Sequence, residues 1–207
     1  MQVLVLTPEN DYPGETTLVQ HLLEQGLQRL HLRKPAYTRE DYRRYLDRID
    51  PAFYTRIVLQ GHFDLLEEYA LDGIHFNTAM RHDATLVARF AGYGKRSASF
   101  HTWKEITDEV MPYRYVFISP VFDSISKKGY EAGIDLDGAK VVKEIFAAQG
   151  KPAPLLMGLG GVSAENIGVL AARGFDGAVV LGSVWQSPDP VTAFAEIIKA
   201  AGDGYHV

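Results

Sequence analysis

Hydrophobic positions along the chain switch between two periods. Short aliphatic runs such as residues 3–7 (VLVLT) read as strands. They alternate with stretches whose apolar positions recur three or four apart, such as Leu18, Leu22 and Leu23 within residues 16–25. Followed to the end, this alternation predicts strands at residues 3–7, 30–33, 56–59, 73–76, 96–100, 115–122, 155–159 and 178–181. Between and after them it predicts helices at residues 16–25, 38–49, 64–70, 83–90, 102–110, 135–148, 163–173 and 190–200. Punctuation supports these boundaries. Thr38 followed by Asp41 has the spacing of a capping box, and Asp83, Ser163 and Asp189 are N-cap residues. Pro190 sits at a first helical turn, and Gly174 ends a helix.

Strict alternation implies a parallel sheet, because each return to a parallel neighbour requires a crossover. Eight such units predict closure into a single (β/α)8 TIM barrel spanning residues 1–207, with an open doubly wound sheet as the alternative. In such a barrel the functional site forms at the C-terminal strand ends. The longest irregular stretch, residues 123–134 (DSISKKGYEAGI), follows the sixth strand and has the length of a lid or binding loop.

Composition narrows the function classes. Hydrophobic residues make up 46% of the chain, enough for a full core. Net charge is −5, from 26 acidic and 21 basic residues, so nucleic acid is not an expected partner. The absence of cysteine excludes disulfides, thiolate metal sites and a cysteine nucleophile. No apolar stretch approaches the ~20 residues of a membrane helix, and no membrane partner is expected. The opening MQVLVLTPEN lacks a basic leader, so a cytoplasmic location is expected.

The strand ends hold the candidate chemistry. Gly158, Gly160 and Gly161 stand at the end of the seventh strand, and Gly182 and Ser183 at the end of the eighth. Paired glycine-rich ends at this place let a phosphate approach backbone N–H groups, although tight turns alone would also use glycine. Ser124, Ser126, Lys127 and Lys128 in the long loop suit phosphate oxygens, or form a solvated charged surface. The second strand ends His31-Leu32-Arg33-Lys34, and parity points His31 and Arg33 inward. An inward arginine needs an anion or a structural carboxylate. His62, His75 and His101 also stand near strand ends, where hydrogen-bonded structural roles are the more frequent use. No two histidines have zinc-site helical spacing, and no nucleotide-binding fingerprint is present.

Taken together and in register, these residues resemble the thiamine-phosphate synthase family, which includes the thiazole tautomerases. His31-Leu-Arg33-Lys34 resembles the family's Q-L-R-x-K, and Gln60 with its neighbours resembles L-N-D-R-x-D. Asp72-Gly-Ile-His75 resembles D-G-V-H, and Ser99-Phe-His101-Thr102 resembles S-x-H-[ST]. Residues 119–127 resemble G-P-V-F-x-T-x-T-K, and the segment from Gly158 resembles the family's I-G-G-I.

The resemblance implies a transferase that joins hydroxymethylpyrimidine diphosphate to a thiazole phosphate with release of diphosphate, using Mg²⁺. It implies catalytic roles for Arg33, Ser99 and Lys127, and substrate contacts at His31, Lys34, Gln60, His101, Ser124, Ser126, Gly160, Gly161, Gly182 and Ser183. The expected partners are small phosphorylated metabolites, with a homodimer left open.

Four positions depart from the pattern. Gly61 and Met80 stand where the family's two magnesium-binding aspartates are found, and Pro35 where its lysine is, with Lys34 adjacent. Pro120 stands where the tautomerase branch has a histidine. Four readings therefore remain: a synthase, impaired or with a displaced metal; a thiazole tautomerase-type isomerase using His101 or His31 as base; a non-catalytic binder of thiazole or thiamine phosphate; and, on fold analogy alone, a different phosphosugar barrel enzyme.

Overall fold

A computed structural model describes residues 1–123 and 133–202. Eight strands are hydrogen-bonded in chain order and all in parallel: β1 (Gln2–Leu6), β2 (Arg29–Leu32), β3 (Ile57–Leu59), β4 (Gly73–Phe76), β5 (Arg96–Phe100), β6 (Tyr115–Ile118), β7 (Leu155–Leu159) and β8 (Gly177–Val180). β8 returns to β1 with Gln2 opposite Gly177 and Val5 opposite Val180. That pairing closes the (β/α)8 barrel and removes the open-sheet alternative.

The helices lie outside the barrel: α1 (Glu15–Glu24), α2 (Arg39–Leu46), α3 (Thr78–Arg81), α4 (Ala84–Arg89), α5 (Trp103–Asp108), α6 (Gly138–Ala148), α7 (Ile167–Ala172), α8 (Gly182–Trp185) and α9 (Pro190–Ala201). Their caps largely follow the sequence signals. Thr38 and Asp41 form the reciprocal capping box, so the short Asp side chain suffices. Asp83 and Asp189 cap α4 and α9 as expected.

Several ends shift by a few residues and the short α3 and α8 were not expected; three further differences have a local cause. The helix expected from residue 163 begins at Ile167, because Asn166 holds a turn before it. Asn166 Oδ1 accepts from the Ser163 N–H, and its amide donates to the Gly161 carbonyl. β6 stops at Ile118 rather than 122, since Pro120 has no N–H for the ladder. Residues 64–70 form a 3₁₀ turn (Phe63–Glu67) rather than an α-helix.

Strand parity divides the core in two. One set of side chains packs between the barrel wall and the helices. The other fills the barrel with Leu4, Leu6, Tyr115, Phe117, Met157 and Val179. The interior also holds buried polar residues: Arg29, His31, His75 and Ser97. Arg29 pairs with Asp72 at the N-terminal end and lies 5.1 Å over the Tyr115 ring, so its charge is matched below the site. His31 and His75 stand higher, their ring centroids 5.0 Å apart, and both pack on Phe117. They form a polar floor beneath the mouth.

Candidate functional site

The mouth is built on this floor. The Gln60 amide N–H donates to His31 Nδ1 at 3.1 Å, so His31 carries its proton on Nε2 and donates to the Tyr115 hydroxyl at 2.8 Å. Burial, with His75 and Arg29 nearby, holds the His31 pKa well below the usual 6.5, so the ring is neutral. His75 bridges two serines of β5, at 2.9 Å from Nδ1 to Ser97 Oγ and 2.7 Å from Nε2 to Ser99 Oγ. Burial, reinforced by the Arg33 charge, lowers its pKa to about 3. Ser99 is half-buried at the upper edge of this layer, while its strand neighbours Ala98 and Phe100 are fully buried against the helices.

Arg33 rises beside the floor. Its backbone is clamped by Thr7, whose hydroxyl accepts from the Arg33 N–H at 2.8 Å and donates to the Arg33 carbonyl at 3.1 Å. The guanidinium donates to Glu9 Oε1 at 2.6 Å, yet the side chain remains 34% exposed. A cation so placed can face an anionic ligand while Glu9 shares its charge.

Lys34, also expected to meet substrate, lies elsewhere. Its side chain is fully buried, and Nζ donates to Glu15 Oε2 at 2.5 Å and to the Asn10 carbonyl at 2.8 Å. Tyr45 donates to the other Glu15 oxygen at 2.9 Å. The ammonium is thus committed to a carboxylate on α1 and is turned out of the barrel.

His101 stands at the rim. Its Nδ1–H donates to the Ser119 carbonyl at 3.0 Å, and among the described residues no hydrogen-bond partner meets Nε2. Glu105 accepts from its backbone N–H.

The β7 and β8 ends lie side by side. Gly161 has φ +64°, and an added Cβ would strike the Asp123 carbonyl oxygen and lie 2.8 Å from Phe122 Cβ. Only glycine lets these two loops approach so closely. The adjoining Gly160 carbonyl accepts from the Phe122 N–H. Gly182 and Ser183 open the short helix α8, where the first N–H groups have no intrahelical acceptor. Among the described residues, the Ser183 hydroxyl is buried without a hydrogen-bond partner. A buried hydroxyl without a partner is costly unless a ligand oxygen completes it. Strand order had suggested Gly182 and Ser183; the unpartnered hydroxyl appears only in three dimensions.

Ser124, Ser126 and Lys127 lie outside the described residues. At the two departures from the aspartate pattern, the backbone matters as much as the side chain. Gly61 has φ +145°, a region that L residues rarely adopt, and Met80 is packed against the core within α3. Among the described residues no group of three histidine or carboxylate side chains could hold a metal ion. The described residues do not fit a carboxylate-bound Mg²⁺.

The family model for thiamine monophosphate synthase matches residues 3–184. The chain belongs to the thiamine monophosphate synthase family. It is similar to the thiamine-phosphate synthase of Listeria welshimeri, 29% identical over 133 residues, which are 63% of this chain and 62% of that one. With the Desulfitobacterium hafniense thiamine-phosphate synthase it shares 27% identity over 186 residues, 84% of each chain. A solved thiamine phosphate pyrophosphorylase from Bacteroides thetaiotaomicron superposes with TM-score 0.74 at 30% identity, covering 100% of both chains. The matches to two Listeria relatives therefore span only 62% and 56% of those proteins. Family membership covers the barrel and its mouth; the reaction is argued from the site.

Proposed function

We propose that this chain is a thiamine-phosphate synthase-like transferase, joining a hydroxymethylpyrimidine diphosphate to a thiazole phosphate with release of diphosphate. The observation that carries the reading is the buried Ser183 hydroxyl, which has no hydrogen-bond partner among the described residues, at the glycine-rich β7 and β8 ends in a chain of this family. Ser183 would donate to a thiazole phosphate oxygen, with N–H groups of Gly160, Gly161 and Gly182 around it. Gln60 and Ser99 would hold the pyrimidine over the neutral His31 and His75 floor. Arg33 would face the diphosphate, with Ser124, Ser126 and Lys127 as its further contacts by family resemblance. Mg²⁺, expected from the resemblance, lacks its usual ligands here, and no role is assigned to it.

The test is an assay with both substrates, with Mg²⁺ and with EDTA, on wild type and Met80→Asp. We expect slow product formation by wild type and Mg²⁺-dependent acceleration in the variant. Met80→Asp is preferred to Gly61→Asp because the Gly61 backbone would strain any side chain by about 1–3 kcal/mol. Brisk turnover by wild type in EDTA would overturn the slow-synthase reading. Absence of product from both forms, with tight binding of a thiazole phosphate, would overturn the transferase reading itself.

A second expectation concerns phosphate placement. Ser183→Ala should lower affinity for inorganic phosphate or a thiazole phosphate by about 1–3 kcal/mol, read by calorimetry, while leaving thermal stability unchanged or raised. Unchanged affinity would place the phosphate elsewhere.

One observation favours a second reading, an isomerase of the thiazole tautomerase type. His101 is held through Nδ1, its Nε2 meets no hydrogen-bond partner among the described residues, and it stands near Pro120, where the tautomerase branch has its histidine. Exchange of a substrate C–H proton with solvent deuterium, lost in His101→Asn, would support that reading over the first.

A further inference from the structure

Ser97 and Ser99 occupy the inward face of β5, and His75 spans them from β4. The Ser97 hydroxyl donates its single proton to the Ile74 carbonyl at 3.2 Å. Its oxygen must then accept from His75, which places the imidazole proton on Nδ1. Nε2 is left as a bare lone pair, 2.7 Å from Ser99 Oγ, and can only accept. The Ser99 proton is thereby directed down into the floor. What Ser99 offers to the half-open mouth above is a pair of acceptor lone pairs and no donor.

We propose that His75 is a positioning residue that converts Ser99 into an acceptor-only group, so that the mouth selects a ligand group bearing an N–H or O–H donor at that point. The inference rests on the reading of the mouth as a pyrimidine diphosphate site and sharpens it. A phosphate oxygen would meet lone pairs at Ser99 and be repelled, whereas an amino group would be accepted. Ser99 therefore faces an amine of the ring, and the diphosphate is left to Arg33 and the groups beyond it. The low His75 pKa agrees with this arrangement, because a ring that stays neutral keeps its acceptor throughout the working range.

Two measurements test the proposal. The first is independent of any substrate: ¹⁵N NMR of the histidine side chains in the whole protein, assigned with His75→Gln. The expected result is a neutral His75 protonated on Nδ1 from about pH 5 to about pH 8. A proton on Nε2 would overturn the proposal whatever the protein does catalytically.

The second compares binding of an amino-substituted pyrimidine diphosphate with its oxo counterpart, which presents an acceptor in place of the amine. Wild type should prefer the amine, and His75→Leu, which frees the Ser99 proton to point upward, should reduce that preference by about tenfold or more. His75→Gln supplies an amide oxygen near the Nε2 position and should restore most of it. A preference unchanged in His75→Leu would reduce His75 to packing and overturn the positioning role. If wild type binds neither pyrimidine, the substrate reading fails, while the NMR result alone decides the state of His75 and Ser99.

Discussion

Lys34→Ala should destabilise the protein by about 3–5 kcal/mol, the cost of leaving one partner of a buried ion pair without the other. The orphan would be Glu15, which is 6% exposed and, among the described residues, keeps only Tyr45 as a side-chain donor. Burial already raises the Glu15 pKa above its ordinary 4.5, and Lys34 is the main opposing influence. Removing the ammonium raises it further, which fixes the sign of the pH dependence. A carboxyl group with a raised folded-state pKa is most favourable to folding below its unfolded value, and that contribution is lost as pH rises through the folded value. The loss caused by Lys34→Ala should therefore be smaller at about pH 5 than at about pH 8. Chemical denaturation at both pH values measures it. A loss below about 1 kcal/mol, or one that is largest in acid, would show that the pair is not the anchor of the β2 end. The double variant Lys34→Met/Glu15→Leu should recover much of the stability, since an apolar pair leaves no buried charge.

Arg33→Ala should weaken binding of a phosphorylated ligand by about 1.5–3 kcal/mol, the scale of a hydrogen bond to a charged group, with little change in thermal stability. Stability is spared because the Arg33–Glu9 pair is partly exposed on both sides, and such pairs contribute little to folding. Glu9→Gln should act in the opposite direction, leaving anion affinity equal or higher because the guanidinium no longer shares its charge. Calorimetry with the pyrimidine diphosphate, or with inorganic diphosphate as the minimal probe, distinguishes the outcomes. Equal affinity in wild type and Arg33→Ala would assign the arginine to the Glu9 pair alone.

The contrast between these neighbouring residues shows what the sequence could convey. Period-two alternation in β2 was enough to place His31 and Arg33 on the inner face, because successive side chains of a strand point to opposite sides. The same rule points Lys34 outward, away from the mouth. That its ammonium ends on Glu15, 19 residues earlier, follows from how α1 packs on the barrel, which no local pattern encodes.

The caps at Thr38, Asp83 and Asp189 were legible because capping is decided within three or four residues. The turn before Ile167 was misplaced because the Asn166 amide ties the Ser163 N–H to the Gly161 carbonyl ahead of the helix, a pair of bonds that only the folded geometry sets. Eight alternating units implied a barrel, but closure itself is the β1–β8 pairing between the two ends of the chain.

By itself, then, the sequence determined the order of elements, the faces of the strands and the set of residues at the strand ends, all consequences of local period and local hydrogen bonding. Three features were decided only by the tertiary structure: the orphaned Ser183 hydroxyl, the unusual Gly61 backbone, and the chain of bonds from Ser97 through His75 to Ser99. Each depends on which strand or loop lies beside which, and at what register. A hydrogen bond is made or lost within a few tenths of an ångström, a distance that only the packed molecule sets.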